Sequence, residues 1–163
     1  MRVSEKIDPW LIIHMFIGGA ICFVTIFVLE GFGASWRLTE WIFKSYGSLG
    51  VFIFEEARNG YYLIRLGLIY LPAGFLGGLY LGYKVKEKLK VNMVFPSIIG
   101  FTLFLIYLVA VGYPIIGMEN ILKGILIPLF TSTSGSYLGG YTLNWHVEEK
   151  PKEERISLIF EKP

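Results

Sequence analysis

Charged side chains are scarce in this sequence: 17% of the 163 residues are Asp, Glu, Lys or Arg, against 54% hydrophobic residues. The mean hydropathy of +0.57 is too apolar for an ordinary soluble domain of this length. The net charge is only +2, and the basic residues stand at the ends of apolar runs instead of forming one stripe. The composition therefore predicts a membrane protein and argues against a nucleic-acid partner.

Cysteine is nearly absent, since Cys22 is the one cysteine in the chain. A single copy can therefore form no internal disulfide, no CxxC redox motif and no cysteine-based zinc site. The two histidines, His14 and His146, have no carboxylate at a spacing diagnostic of a metal site. No HExxH, GxSxG, phosphate-binding or dinucleotide-binding motif is present in a convincing context. We therefore expect no catalytic residues, no metal and no cofactor.

Long apolar runs dominate the rest of the sequence, at residues 10–29, 61–83, 91–113 and 121–143. About 20 helical residues cross a hydrocarbon core of roughly 30 Å. The first run follows basic residues, as in a cleaved signal peptide, but it exceeds the usual length of such a signal. The fourth contains Pro128 and several hydroxyls, which are compatible with a helix because they bond to carbonyls one turn back. These runs predict an all-α protein with four transmembrane helices in residues 1–146 and a charged tail at 147–163.

The basic residues also predict an orientation, because Lys and Arg near the ends of spans resist translocation. Ten basic residues would lie on one side of the membrane, in the N-terminal tail, the second connection and the C-terminal tail: Arg2, Lys6, Lys84, Lys86, Lys88, Lys90, Lys150, Lys152, Arg155 and Lys162. The other side would hold only Arg37, Lys44, Arg58 and Lys123. Both termini are therefore expected in the cytoplasm, with the protein in the cell membrane.

The longest connection, residues 30–60, would lie outside the cell. Its apolar residues recur at roughly helical spacing with charges between them, which predicts a helix at the membrane surface or against the bundle. Gly47 and Gly50 are expected to interrupt it. A lid, a surface for a partner and a simple cover for the helix ends remain as alternatives for this segment.

Small residues recur in the apolar runs, where close helix packing replaces the hydrophobic effect between helices in lipid. The expected packing residues are Gly18, Gly19, Gly74, Gly77, Gly78, Gly82, Gly135, Gly139 and Gly140. Residues 73–81 can also be aligned with residues 135–143. This match predicts two repeated helical hairpins of the same orientation.

Two groups of polar residues need a partner or a role inside these runs. Arg65 would extend its side chain to the membrane surface or pair with Glu30 or Glu119. Thr131, Ser132, Thr133, Ser134 and Ser136 would either line a polar path or hydrogen-bond between helices.

The sequence thus favours a non-enzymatic helical module, an accessory or assembly subunit or a homo-oligomer that packs through its glycine faces. Its expected partners are the lipid bilayer and other membrane subunits or copies of itself. The first alternative is a small ion or solute channel or transporter that uses the Ser/Thr path. The second alternative is a membrane enzyme of unknown class.

Overall fold

The computed structural model describes residues 9–51, 60–85, 92–113 and 117–148, and this part of the chain is helical without a β-strand. The all-α prediction is confirmed. The helices are α1 (Pro9–Gly31), α2 (Ala34–Val51), α3 (Gly60–Lys84), α4 (Phe95–Ala110) and α5 (residues 118–148). The basic segment 86–90 and residues 149–163 of the predicted tail lie outside the described residues.

Two of these helices, α1 and α3, are long and apolar enough to cross a membrane. α4 is also apolar but has 16 residues. It begins next to Pro96, and the chain turns at Gly112, where φ is +80°. α5 is longer than the apolar run at 121–143, but its serines, threonines and glycines dilute its apolar character.

Contacts between α3 and α5 show that the two helices run parallel. Gly74 lies against Ser132, and Gly82 lies eight residues further along against Gly140. α1 and α4 are also parallel, because Gly19 contacts Ile99 and the ring of Phe27 lies 5.2 Å from that of Tyr107.

α1 runs antiparallel to α3, as two polar contacts near its ends demonstrate. His14 is bonded to Tyr80, near the end of α3, whereas Glu30 is bonded to Arg65, near its beginning. We call the end of the bundle that contains Glu30 and Arg65 the Arg65 end. The opposite end, where Gly82 meets Gly140, is called the Gly82 end.

The interior of the bundle changes character between these two ends. Towards the Arg65 end it is filled by large side chains, among them Ile26, Tyr70, Phe101 and Phe104. Towards the Gly82 end the helix backbones approach each other through glycines. This distribution lets helices touch directly at one end and separates them by aromatic rings at the other.

α2 lies beside the first turns of α3 and the end of α1. The chain enters it through a turn at Gly33, whose φ of +59° is the left-handed conformation that glycine adopts readily. Ser35 and Thr39 are buried, whereas Trp36 and Trp41 are exposed. The helix is kinked at Tyr46 and Gly47, the first of the two glycines expected to interrupt it.

Candidate functional site

Arg65 forms an ion pair with Glu30 across the α1–α3 contact. Its Nη2 and Nε atoms donate to the same carboxylate oxygen, Glu30 Oε1, over 2.6 and 2.7 Å. The Tyr70 hydroxyl donates to this oxygen over 3.2 Å, and the guanidinium carbon lies 5.7 Å from the centre of the Tyr70 ring. The side chains of Arg65 and Glu30 are 33% and 24% exposed, so the pair is only partly shielded from its surroundings.

Of the two carboxylates considered for Arg65, Glu30 is therefore the one that binds it. Glu119 instead accepts a hydrogen bond from Lys123, one turn further along α5, over 2.8 Å. This exposed pair lies within one helix, and the hydrogen bond from Lys123 lowers the pKa of Glu119 below its usual value. On α2, Lys44 lowers the pKa of Glu40 in the same way.

Two further tyrosines attach the beginning of α3 to its neighbours. The Tyr62 hydroxyl donates to the main-chain carbonyl of Lys123 on α5 over 2.7 Å. The Tyr61 hydroxyl and the Ser35 hydroxyl on α2 are 3.1 Å apart, and either can donate. We call Tyr61, Tyr62 and Arg65, with these partners, the polar collar. It connects one end of α3 to α1, α2 and α5.

Both α3 and α5 contain a π-helical turn near the collar, at Leu66–Tyr70 and Leu122–Leu126. Each turn ends two residues before a proline, Pro72 in α3 and Pro128 in α5. Proline has no amide N–H, so one carbonyl on the preceding turn loses its helical partner. π turns occur frequently at functional sites of helices, so the part of the bundle that contains both turns is a candidate functional region.

The nine glycines expected to pack helices all face another part of this chain. A Cβ on Gly74 would overlap the carbonyl of Ser132, and one on Gly78 would overlap that of Ser136. The complete set also comprises Gly135 against Leu71, Gly139 against Phe75, Gly18 against Gly77, Gly19 against Ile99, Gly82 against Gly140, and Gly140 against Met93. These glycine faces are therefore occupied within one copy of the chain.

The hydroxyl groups of α5 are likewise engaged in hydrogen bonds. Thr131, Thr133 and Ser134 each donate to the carbonyl four residues earlier in the helix. Ser136 donates to the Met93 carbonyl, and the Ser132 hydroxyl lies 3.6 Å from the Cys22 sulfur. Ser97 on α4 donates to Thr133 over 3.2 Å. Within one copy of the chain, these hydroxyls therefore bond either to another part of the chain or to a carbonyl of their own helix.

At the Gly82 end, His14 Nδ1 lies 3.1 Å from the Tyr80 hydroxyl. The ring of Trp10 stacks on the same imidazole at a centroid distance of 6.4 Å. In the four described stretches, no group of three or more His, Cys, Asp or Glu side chains is close enough to hold a metal ion.

Four residues important to these contacts were missed by the sequence reasoning. Gly100 touches Cys22 and Gly19, but no other glycine lies at helical spacing from it to form a repeat that would reveal it. Tyr62 resembles a tyrosine at the edge of a membrane, Tyr70 lies in the middle of the apolar run 61–83, and Pro72 resembles an ordinary helix proline. The sequence does offer one signal, a leucine six residues before Pro72 and another six residues before Pro128.

Comparison with known proteins gives no further assignment for these contacts. The chain matches no family model, no curated protein and no solved structure.

Proposed function

We propose that this chain is a multi-pass protein of the cell membrane that acts as a non-enzymatic helical module, an accessory or assembly subunit. It crosses the bilayer four times, through α1, α3, α4 and α5, with both termini in the cytoplasm. The Arg65 end then faces outwards and the Gly82 end faces the cytoplasm. α2 lies at the outer surface beside the beginning of α3.

The membrane part of the proposal rests on one observation: large apolar side chains lie on the outside of the bundle, and polar side chains are buried inside it. Large apolar residues are exposed along α1, α4 and α5, including Phe16, Ile106 and Phe130. Among the residues whose burial the structure describes, the buried polar ones are small and hydroxylated: Ser35, Thr39, Ser97, Ser132 and Ser136. A large apolar exterior is stable where lipid covers the outside, and glycines and hydroxyls at the helix contacts are typical of packing in lipid. The length and apolar composition of α1 and α3 support the same environment.

The module part of the proposal rests on how the polar groups are used. In the part of the chain that the structure describes, the hydroxyls of α5 are hydrogen-bonded, and Gly135 and Gly139 contact α3. This favours interhelical adhesion over a channel lining. Because the glycine faces are also occupied, a partner subunit or second copy would bind the outer apolar surface instead.

The parallel pairs α1/α4 and α3/α5 also support two repeated hairpins within the module. The sequences at 66–72 and 122–128 both begin with leucine and end with proline, with a π turn in each. This match is offset by 56 residues, six fewer than the glycine match between 73–81 and 135–143. We therefore base the repeat on the prolines and π turns rather than on the glycines.

Single cysteines at Ser4, Ser45, Glu87, Ile116 and Ser157, in a Cys22→Ser background, test the arrangement. A membrane-impermeant maleimide added to sealed vesicles of known orientation should reach positions 4, 87 and 157 from the cytoplasmic face. Positions 45 and 116 should react only from the other face. Labelling of positions 4 and 157 from opposite faces would refute an even number of spans.

Native mass spectrometry of the protein extracted in mild detergent tests the module. A stoichiometric membrane partner or a defined oligomer is expected. A strict monomer without a bound protein would count against an assembly role.

A further inference from the structure

The π turns of α3 and α5 lie at nearly the same height in the bundle. Gly74 lies against Ser132 and Gly78 lies against Ser136, so these parallel helices are paired with an offset of 58 residues. The π turns themselves, Leu66–Tyr70 and Leu122–Leu126, are 56 residues apart. They differ in height by two residues, or about 3 Å along a helix. The closely packed helices α3 and α5 therefore change from α-helical to π-helical hydrogen bonding at nearly the same height.

Between these turns and the Gly82 end, α3 and α5 are in direct backbone contact. The carbonyls of Ser132 and Ser136 occupy the space that side chains would take on Gly74 and Gly78. A sliding or tilting movement here would force main-chain atoms into one another. Close packing of this kind has few alternative arrangements, so this half of the pair is fixed.

On the other side of the turns, the same helices are held differently. Gly67 and Gly124, one in each π turn, have no heavy atom within 4 Å of the position a Cβ would take, apart from their chain neighbours and the backbone of their own helix. The beginning of α3 is attached through the ends of long side chains, those of Tyr61, Tyr62 and Arg65. Such contacts can be broken and remade without overlap of main-chain atoms.

We propose that the paired π turns form a hinge, and that the ion pair between Glu30 and Arg65 is the latch that keeps it closed. The beginning of α3 and the beginning of α5 move together, because the Tyr62 hydroxyl ties them to each other. They pivot away from α1 and α4, while the remainder of both helices stays in place. The hinge and the latch involve only contacts within the chain and are independent of the membrane assignment.

The latch lies on the right contact to control such a movement. Glu30 Oε1 receives two donors from Arg65 and one from Tyr70, so one carboxylate oxygen holds α3 immediately before the π turn and at its last residue. Charge-assisted hydrogen bonds of this kind are stronger than neutral ones. Neutralising Glu30 weakens all three at once and leaves the glycine contacts untouched. The Tyr61 contact with α2 and the packing of apolar side chains then remain to favour the closed position.

Distances between spin labels in detergent micelles test the hinge. In a Cys22→Ser background, one label pair at Leu63 and Val109 reports on the Arg65 end, and a second pair at Tyr83 and Ile98 reports on the Gly82 end. All four side chains are exposed. With Glu30→Gln, the 63–109 distribution should broaden or shift outwards by about 2 Å or more, the size of a helix displacement. The 83–98 distribution should not change.

Glu119→Gln is the matched control, because it removes a carboxylate at the same end whose partner lies in its own helix. It should leave both distributions as they are. An unchanged 63–109 distribution in Glu30→Gln would overturn the latch. Equal broadening of both pairs would show general loosening and would overturn the hinge.

The pivot itself is tested by adding Pro72→Ala and Pro128→Ala to Glu30→Gln. Alanine supplies the missing amides and favours uninterrupted α-helices in place of the π turns. The broadening at 63–109 should then fall back towards the unmutated protein. Full persistence of the broadening would overturn the assignment of the hinge to the π turns.

Discussion

The hydroxyl of Tyr62 on α3 binds the main-chain carbonyl of Lys123 on α5 over 2.7 Å. This carbonyl lies in the π turn that precedes Pro128. The nearest amides on the next turn cannot serve it, since the N–H of Ile127 is bonded to Leu122 and Pro128 has none. Tyr62 thus supplies a donor from another helix to a carbonyl that its own helix leaves without one.

Tyr62→Phe should lower the free energy of unfolding by about 1 kcal/mol, the usual net value of a hydrogen bond between helices. In a Pro128→Ala background the same change should cost much less, because an amide of the chain itself then serves the turn. Denaturant-induced unfolding in micelles, followed by circular dichroism, measures the four proteins of this double-mutant cycle. Tyr113→Phe, at an exposed tyrosine, provides the control. Equal costs in both backgrounds would contradict the link between Tyr62 and Pro128.

Glycines in α3 should differ sharply in their tolerance of a methyl group. Gly74→Ala and Gly78→Ala each place a Cβ against a main-chain carbonyl of α5, so each should lower the free energy of unfolding by about 2 kcal/mol or more. Gly67→Ala meets open space and should leave stability unchanged or raise it by up to about 1 kcal/mol. The midpoint of thermal unfolding ranks these variants. A loss at Gly67 as large as that at Gly74 would contradict the packing described here.

The glycine rows illustrate how far the sequence could be interpreted. Regular spacing on an apolar helix indicates a face that packs closely, and Gly74, Gly78 and Gly82 are placed on such a face. Spacing does not identify what lies opposite. The same pattern fits a neighbour in the chain and a second copy equally well, and only the fold shows Ser132 and Ser136 across the contact. Gly100 has no repeat at all, so its close contact with Cys22 depends wholly on tertiary structure.

The ion pair between Glu30 and Arg65 should respond to single substitutions and to exchange of its charges. Glu30→Ala and Arg65→Ala should each lower the free energy of unfolding by roughly 1–2 kcal/mol, a value reduced for the partial exposure of both side chains. The combined exchange Glu30→Arg with Arg65→Glu should recover part of this loss. Chemical unfolding of the purified protein in detergent provides the measurement. If every exchange failed to recover stability, the charge attraction would not be what holds α1 and α3 together at this point.

The sequence narrowed the partner of Arg65 to two carboxylates but could not choose between them. Glu30 follows the apolar run 10–29 and Glu119 precedes the run 121–143, so both were expected near the same membrane surface. The choice depends on the contact between α1 and α3 and on Lys123, which engages Glu119 within one turn. The π turns could not be predicted from the sequence either, because they depend on which donors of other helices bond to the carbonyls that the prolines leave free.

The carboxylate of Glu119 should titrate below its usual pKa of 4.5, because Lys123 donates to it. Lys123→Gln should raise this pKa towards 4.5. Carbon NMR of the isotope-labelled Glu119 side chain measures the change. A lowered pKa in the folded state stabilises the protein above the unfolded pKa, and this contribution is lost as the pH falls through the folded pKa. The pair is exposed, so the effect on stability should be small. An unchanged Glu119 pKa in Lys123→Gln would show that the pair is not formed in solution.

Cys22 should be protected from thiol reagents by the same packing that closes the bundle. Its side chain has no exposed surface and lies against Gly100 and Ser132. A maleimide can reach it only when the helices separate, so labelling should be slower than in the unfolded chain by about a thousandfold or more. Gly100→Ala should accelerate labelling, because a Cβ there would approach Cys22 Cβ and the Gly19 carbonyl oxygen to 2.6 Å and push α1 from α4. Gly124→Ala, which meets open space, should not. Fast labelling of the unmutated protein would place Cys22 at an accessible surface and contradict the α1–α4 contact.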